Sequence, residues 1–186
     1  MKSIHLQGAA RALTTKTGIR NMRKQGLIPC VLYGKNINVL FTITEKELKK
    51  AIYTPETYIV ELEIDGTSYK SIIRELQFHP VTESVLHADF FKLDPDKEVD
   101  IFLPLRVVGT PAGVLAGGTL NVKQRKLRVS GLPGNLPDHI SVNVSHLELG
   151  QSMKVGAISV DNVTILTNPD VGVATIEIPR SLRQQK

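Results

Sequence analysis

The sequence predicts a mainly β fold with a few short helices, arranged as two domains. Short runs alternate apolar and polar residues with the period of two that places one face of a strand in a core. Clusters of Gly, Pro, Asn and Asp separate those runs and supply turn chemistry. The segment Leu93-Asp94-Pro95-Asp96-Lys97 is short, charged and broken by proline, and it marks the best boundary in the chain. With 186 residues, 41% of them hydrophobic, the chain can bury one large core or two small ones. Trp is absent and aromatics are only 5%, so aliphatic side chains must fill the interior.

In order along the chain, residues 3–8 alternate as a short strand. Gly18 to Gln25 is a helix candidate, with Gly26 placed to cap its end. Leu27 to Tyr33 is an apolar strand closed by Gly34, and Val39 to Ile43 is another. Thr44 with Glu47 three residues on has the spacing of a capping box, opening a helix through Ile52 that Pro55 stops. Tyr58 to Ile64 and Ser68 to Phe78 flank Asp65-Gly66, a strong hairpin signal. Val85 to Phe91 completes a first domain at 1–92, and 93–98 is a linker. In the second domain, 99–186, strands are expected over Val99 to Val108, Leu127 to Ser130, Ile140 to Val144, Asn162 to Leu166 and Val173 to Ile178. A Gly-rich loop spans 109–118, a turn-rich connector spans Gly131 to Pro137, and Ser145 to Gly150 has the length of one helical turn.

Charge is the most informative feature for function. The first 44 residues hold seven Lys and Arg, and all 18 acids of the chain lie beyond them. Five of those bases fall between Arg11 and Lys24. Solvated faces usually mix signs, so a one-sign stretch beside a foldable sequence is the footprint of a polyanion partner, nucleic acid above all. On a helix, Arg20, Arg23 and Lys24 share one side. A membrane surface would also attract cations, but surface-binding helices add large apolar residues that this stretch lacks. No apolar run approaches spanning length and no hydrophobic leader opens the chain, so a cytoplasmic protein off the membrane is expected. The single Cys30 excludes an internal disulfide framework and is expected to pack as a small hydrophobe.

His87 and Asp89 are two apart on an expected strand and so share a face. With His79 they suggest a metal site or a general base, the enzyme alternative for this chain. No further ligand stands at good spacing, and His79-Pro80 reads as a turn. His and Asp on an exposed strand are equally suited to the hydroxyls and base edges of RNA. The Gly-rich loop lacks Gly-Lys-Ser/Thr and GxGxxG, so structural turns are its expected use. No Ser/His/Asp or Cys/His order points to a nucleophile.

Three long motifs in order resemble one family. They are Gly26-Leu-Ile-Pro-Cys-Val-Leu-Tyr-Gly34 behind Gly18-Ile-Arg-Asn-Met-Arg; Glu75-Leu-Gln-Phe-His-Pro-Val-Thr-Glu-Ser-Val-Leu-His-Ala-Asp-Phe90; and the run from Val99 to Gly118. The family is the bacterial large-subunit ribosomal protein that binds 5S ribosomal RNA, in the two-domain form known as general stress protein Ctc. The resemblance implies an N-terminal six-stranded β-barrel that binds RNA, followed by a second β-rich domain. It implies no catalysis, cofactor or metal. It implies 5S rRNA as partner, neighbouring large-subunit proteins and rRNA around the second domain, no membrane, and a monomer within the ribosome. RNA-contacting positions carry over to Arg11, Arg23, Tyr33, Gln77, His87 and Asp89, with Lys16 and Arg20 as basic neighbours in a looser stretch. A free stress regulator only transiently on ribosomes would show the same residues. Some relatives end in a long acidic tail, whereas this chain ends Ser181-Leu-Arg-Gln-Gln-Lys186.

Overall fold

The computed structural model describes residues 1–54 and 56–179. The chain divides into two compact units, Met1–Lys97 and Glu98–Lys186. Both are built mainly of strands.

In the first unit, strands β1 (Ser3–Ala10), β2 (Leu27–Gly34), β3 (Ile37–Thr44), β4 (Ile59–Ile64), β5 (Thr67–Phe78) and β6 (Val85–Lys92) close into a barrel in the order β1-β3-β2-β6-β5-β4. The β1–β4 and β2–β6 pairs are parallel and the others antiparallel. Alternation decides which side chains enter. Cys30 and Leu32 of β2, Phe41 and Ile43 of β3, Val60 and Leu62 of β4, and Ala88 and Phe90 of β6 are buried in one cluster. The rings of Phe41 and Phe90 meet at its centre, 5.5 Å apart. Burying each large apolar side chain is worth about 1.5–3 kcal/mol, so the alternation fixes the register: a slip by one residue would put this whole set into water. The Asp65-Gly66 turn has both residues at positive φ, 46° and 81°, as a two-residue hairpin requires.

Helix α1 (Lys16–Lys24) begins two residues earlier than the pattern suggested, because Thr15 caps it: its Oγ1 accepts from the Gly18 amide at 3.4 Å. Helix α2 (Glu45–Ile52) follows Thr44 directly, but the expected capping box does not form. The Glu45 amide instead donates to the Gly26 carbonyl at 3.0 Å, and the Glu47 carboxylate is taken by Lys50. The expected stop at Pro55 lies outside the described residues.

The second unit holds two open sheets. Strands β10 (Ile140–Asn143), β7 (Val99–Val108), β9 (Lys126–Gly131) and β12 (Thr164–Ile165) form one; β11 (Ser152–Lys154), β13 (Gly172–Glu177) and β8 (Thr119–Val122) form the other. Ile101, Leu103, Leu127, Val129, Val142, Val173 and Ile176 are among its buried residues. Several local expectations are corrected here. The Gly-rich loop contains a four-residue helix, α3 (Ala112–Leu115). Ser145 to Gly150 forms turns, not a helical turn, because the Asn143 side chain accepts the Ser145 amide and Gln151 the Glu148 amide. The strand expected over Asn162 to Leu166 shrinks to two residues, since Asn162 has φ +57°. β8 and β11 were not anticipated. Among the described residues no helix is long and apolar enough to cross a membrane. The non-acidic end, 181–186, lies outside the described residues.

Candidate nucleic-acid interface

Helix α1 packs against β2 and has no buried residue. Gly18, Ile19 and Met22 are its half-buried positions, while Lys16, Arg20, Arg23 and Lys24 are exposed. Its first turn contains no acid, and Arg23 and Lys24 sit in the last turn, where cations complement the helix dipole. Among the described residues none of these four bases forms an ion pair with a carboxylate, so their field is left for solvent or a partner. Arg23 Nε donates to the Leu86 carbonyl at 3.0 Å, tying the end of α1 to the start of β6.

The outer face of the barrel beside that anchor carries the polar candidates. On β6, Ala88 and Phe90 point into the core, so His87, Asp89 and Phe91 point outward. His87 Nδ1 lies 2.6 Å from Asp89 Oδ1. In the neutral tautomer that donates to Asp89, the ring presents Nε2 as an acceptor; when protonated it presents a donor. Gln77 stands directly opposite His87 in the β5–β6 register, and is exposed. Tyr33 of β2 lies beside Phe91, ring centroids 5.7 Å apart and nearly perpendicular. The fold therefore brings Gln77, His87, Asp89 and Tyr33 onto one stripe across β5, β6 and β2, with Arg23 at its end. Lys16 and Arg20 lie on the adjoining α1.

Arg11 is placed apart from the stripe, along β3. Its amide donates to Leu40 and its Nε to the Phe41 carbonyl at 3.3 Å, so part of its guanidinium is spent on the barrel. Glu75, exposed and opposite Asp89 in the register, belongs to the same stripe and was missed by sequence reasoning. The signal that would have found it is the pairing of β5 with β6. Facing carboxylates repel, and among the described residues the His87 contact is what offsets Asp89. An anion on a face offered to phosphates costs affinity unless it accepts a specific donor, which suits hydroxyl or amino groups of a folded RNA.

Beneath the stripe, Cys30 is fully buried, and burial pushes its thiol up to about 12. It packs and is not a nucleophile at neutral pH. His79 sits in the turn before β6, where its Nδ1 accepts the Val81 and Thr82 amides at 3.3 and 3.2 Å. It is thereby committed to that turn, and among the described residues no group of three His, Cys, Asp or Glu is arranged to hold a metal.

Residues 6–90 match the family model described as Ribosomal L25p family, and residues 98–180 match that of the ribosomal protein TL5 C-terminal domain. The large ribosomal subunit protein bL25 of Bacteroides thetaiotaomicron is 37% identical over 188 residues, covering 98% of this chain and 96% of that one. The bL25 proteins of Azobacteroides pseudotrichonymphae and Cytophaga hutchinsonii are 41% and 40% identical, covering 98% and 100% of this chain and 97% of each relative. With both units matched and relatives aligned nearly end to end, the chain belongs to the bL25 family of ribosomal proteins, a structural family and not one of enzymes.

Proposed function

We propose that this protein is a constituent of the large ribosomal subunit in the cytoplasm, and that residues 1–92 bind 5S rRNA through the outer face of the barrel and helix α1. The observation that carries this reading is the juxtaposition of an acid-free basic helix with the Gln77, His87, Asp89 and Tyr33 stripe. Double-helical RNA offers a wide, shallow minor groove lined by 2′-hydroxyls, and a barrel face can lie across it. Lys16, Arg20, Arg23 and the remaining donors of Arg11 contact phosphates, releasing counterions and giving affinity and orientation. Gln77, His87, Asp89 and Tyr33 give selectivity by hydrogen bonds to hydroxyls and exposed base edges. Residues 93–98 act as linker, and residues 99–186 contact neighbouring protein or rRNA.

A competition mobility shift tests this with the full chain and a 5S transcript at physiological ionic strength. Binding should survive an excess of unrelated duplex RNA and be lost to unlabelled 5S. Equal competition by both RNAs overturns the reading.

A further inference from the structure

We propose that the notch between the β2–β3 turn and the end of β6, lined by Lys35, Asn36, Lys92 and Asp94, is a second phosphodiester-binding point. It grips RNA at the far end of the stripe from α1. The inference rests on the RNA-binding role proposed above and adds to it a site with its own residues.

The notch has a volume of about 160 Å³, enough for a phosphate group and bridging waters. Its shape is set by the backbone. Gly34 ends β2 so close to β6 that a Cβ there would meet the Lys92 Cβ at 3.0 Å, which lets the turn fold down beside Lys92. Asn36 then reverses the chain with φ +58°. Lys35 stands exposed at the tip. Lys92 reaches over the Tyr69 ring, with its Nζ 6.0 Å from the centroid. Among the described residues neither lysine forms an ion pair, although Asp94 lines the same notch. Two ammonium groups against one carboxylate leave the site net positive and open to an anion.

Position argues for RNA phosphate as the anion. Gly34 follows Tyr33 and Lys92 follows Phe91, each with the inward parity of Leu32 and Phe90, so the notch lies on the barrel rim where the stripe ends. Arg23 is tied to Leu86 at the other end of the same strand. Lys92 lies six residue steps along the strand from Leu86, about 20 Å at the usual rise. The reading residues thus lie between two cationic ends, an arrangement that can hold phosphates on both sides of a wide groove.

Salt dependence of 5S binding by the full chain tests this, with Arg23→Gln as reference. Lys35→Gln should lower the slope of log K against log salt by about 0.7–0.9, as should the reference. Lys92→Gln should do the same and Lys92→Arg should restore it, which separates charge from packing on Tyr69. Asp94→Asn should tighten binding by removing a repulsion. If Arg23→Gln lowers the slope but both lysine variants keep the wild-type value, the notch proposal falls and the RNA-binding role stands. If the unaltered protein shows no preference for 5S, that role fails and takes the notch with it.

Discussion

The two units bury similar cores and distribute charge differently along the chain. Each is filled mainly by aliphatic residues at alternating strand positions, with Phe41 and Phe90 added in the barrel. In the second unit, acids and bases interleave and pair, as in Arg128 with Asp100 at 2.8 Å and Lys154 with Asp170 at 3.1 Å. In the first, Lys2 pairs with Glu56 and Lys49 with Glu45, but the acids are confined to the chain beyond residue 44 and the bases of α1 form no ion pairs among the described residues. Segregation of charge, more than its total, distinguishes a surface built for a polyanion from one that is merely soluble.

The largest test of this contrast strikes the cores. Leu62 and Leu127 are each fully buried, one in each unit. Leu62→Ala and Leu127→Ala should each cost about 2–5 kcal/mol in urea unfolding, because each leaves a cavity. Only Leu62→Ala should also abolish 5S binding. Loss of binding in both variants would erase the division of labour.

A matched change of charge comes next. Replacing Arg20, Arg23 and Lys24 by Gln removes three exposed bases from α1; replacing Lys123, Arg125 and Lys126 by Gln removes three exposed bases from the second unit. The first set should reduce the salt slope of 5S binding by about 2–3, and the second should leave it unchanged. Equal reductions would mean that net charge alone recruits the RNA.

Asp89→Asn sharpens the contrast within the first unit. Asn can still accept from His87 Nδ1, so the ring keeps its orientation while the charge is lost. Discrimination between 5S and unrelated duplex should fall by about 1.5–3 kcal/mol, roughly one to two powers of ten, the range of a hydrogen bond to a charged group. Binding to unrelated duplex should rise slightly as an anion leaves the surface. An unchanged ratio removes Asp89 from the reading stripe.

The sequence was most legible where local chemistry and tertiary structure agree. Alternation, apolar runs and turn residues located every barrel strand to within a few residues, and Asp65-Gly66 named its own turn. Spacing of two put His87 and Asp89 on one face. What stayed hidden depends on neighbours distant in the chain. Gln77 meets His87, and Glu75 meets Asp89, only through the β5–β6 register, which shifts twice along its length. The capping box at Thr44 does not form, and the Glu47 carboxylate that would complete it is held by Lys50. Arg11 turns to the Phe41 carbonyl, and the Lys35–Lys92 notch joins a hairpin tip to the end of another strand. In the second unit the strands are shorter and the turns denser, so α3, β8 and β11 carry too few residues to show a period.

The smallest expected effect distinguishes the cores through pH. The chain's one thiol, Cys30, lies in the barrel, so only the first unit can show it. Burial raises its pKa from an ordinary 9.0 to about 12, with a backbone hydrogen bond at Ala88 and then the Arg11 charge opposing that shift only in part. Below pH 9 both folded and unfolded chains hold the proton, and the contribution is fully present. Between about pH 9 and 12 the unfolded chain releases the proton while the folded chain keeps it. The unfolded state then binds fewer protons, so stability must fall as pH rises. Lys and Tyr side chains titrate in the same window, so the quantity to measure is the difference between wild type and Cys30→Ala. Urea midpoints of the two proteins should keep a constant separation up to about pH 9 and then shift relative to each other in favour of the variant. Parallel curves throughout would mean that the thiol ionises in the barrel as readily as in water, and that the first core is wetter than the packing of Phe41 and Phe90 around it requires.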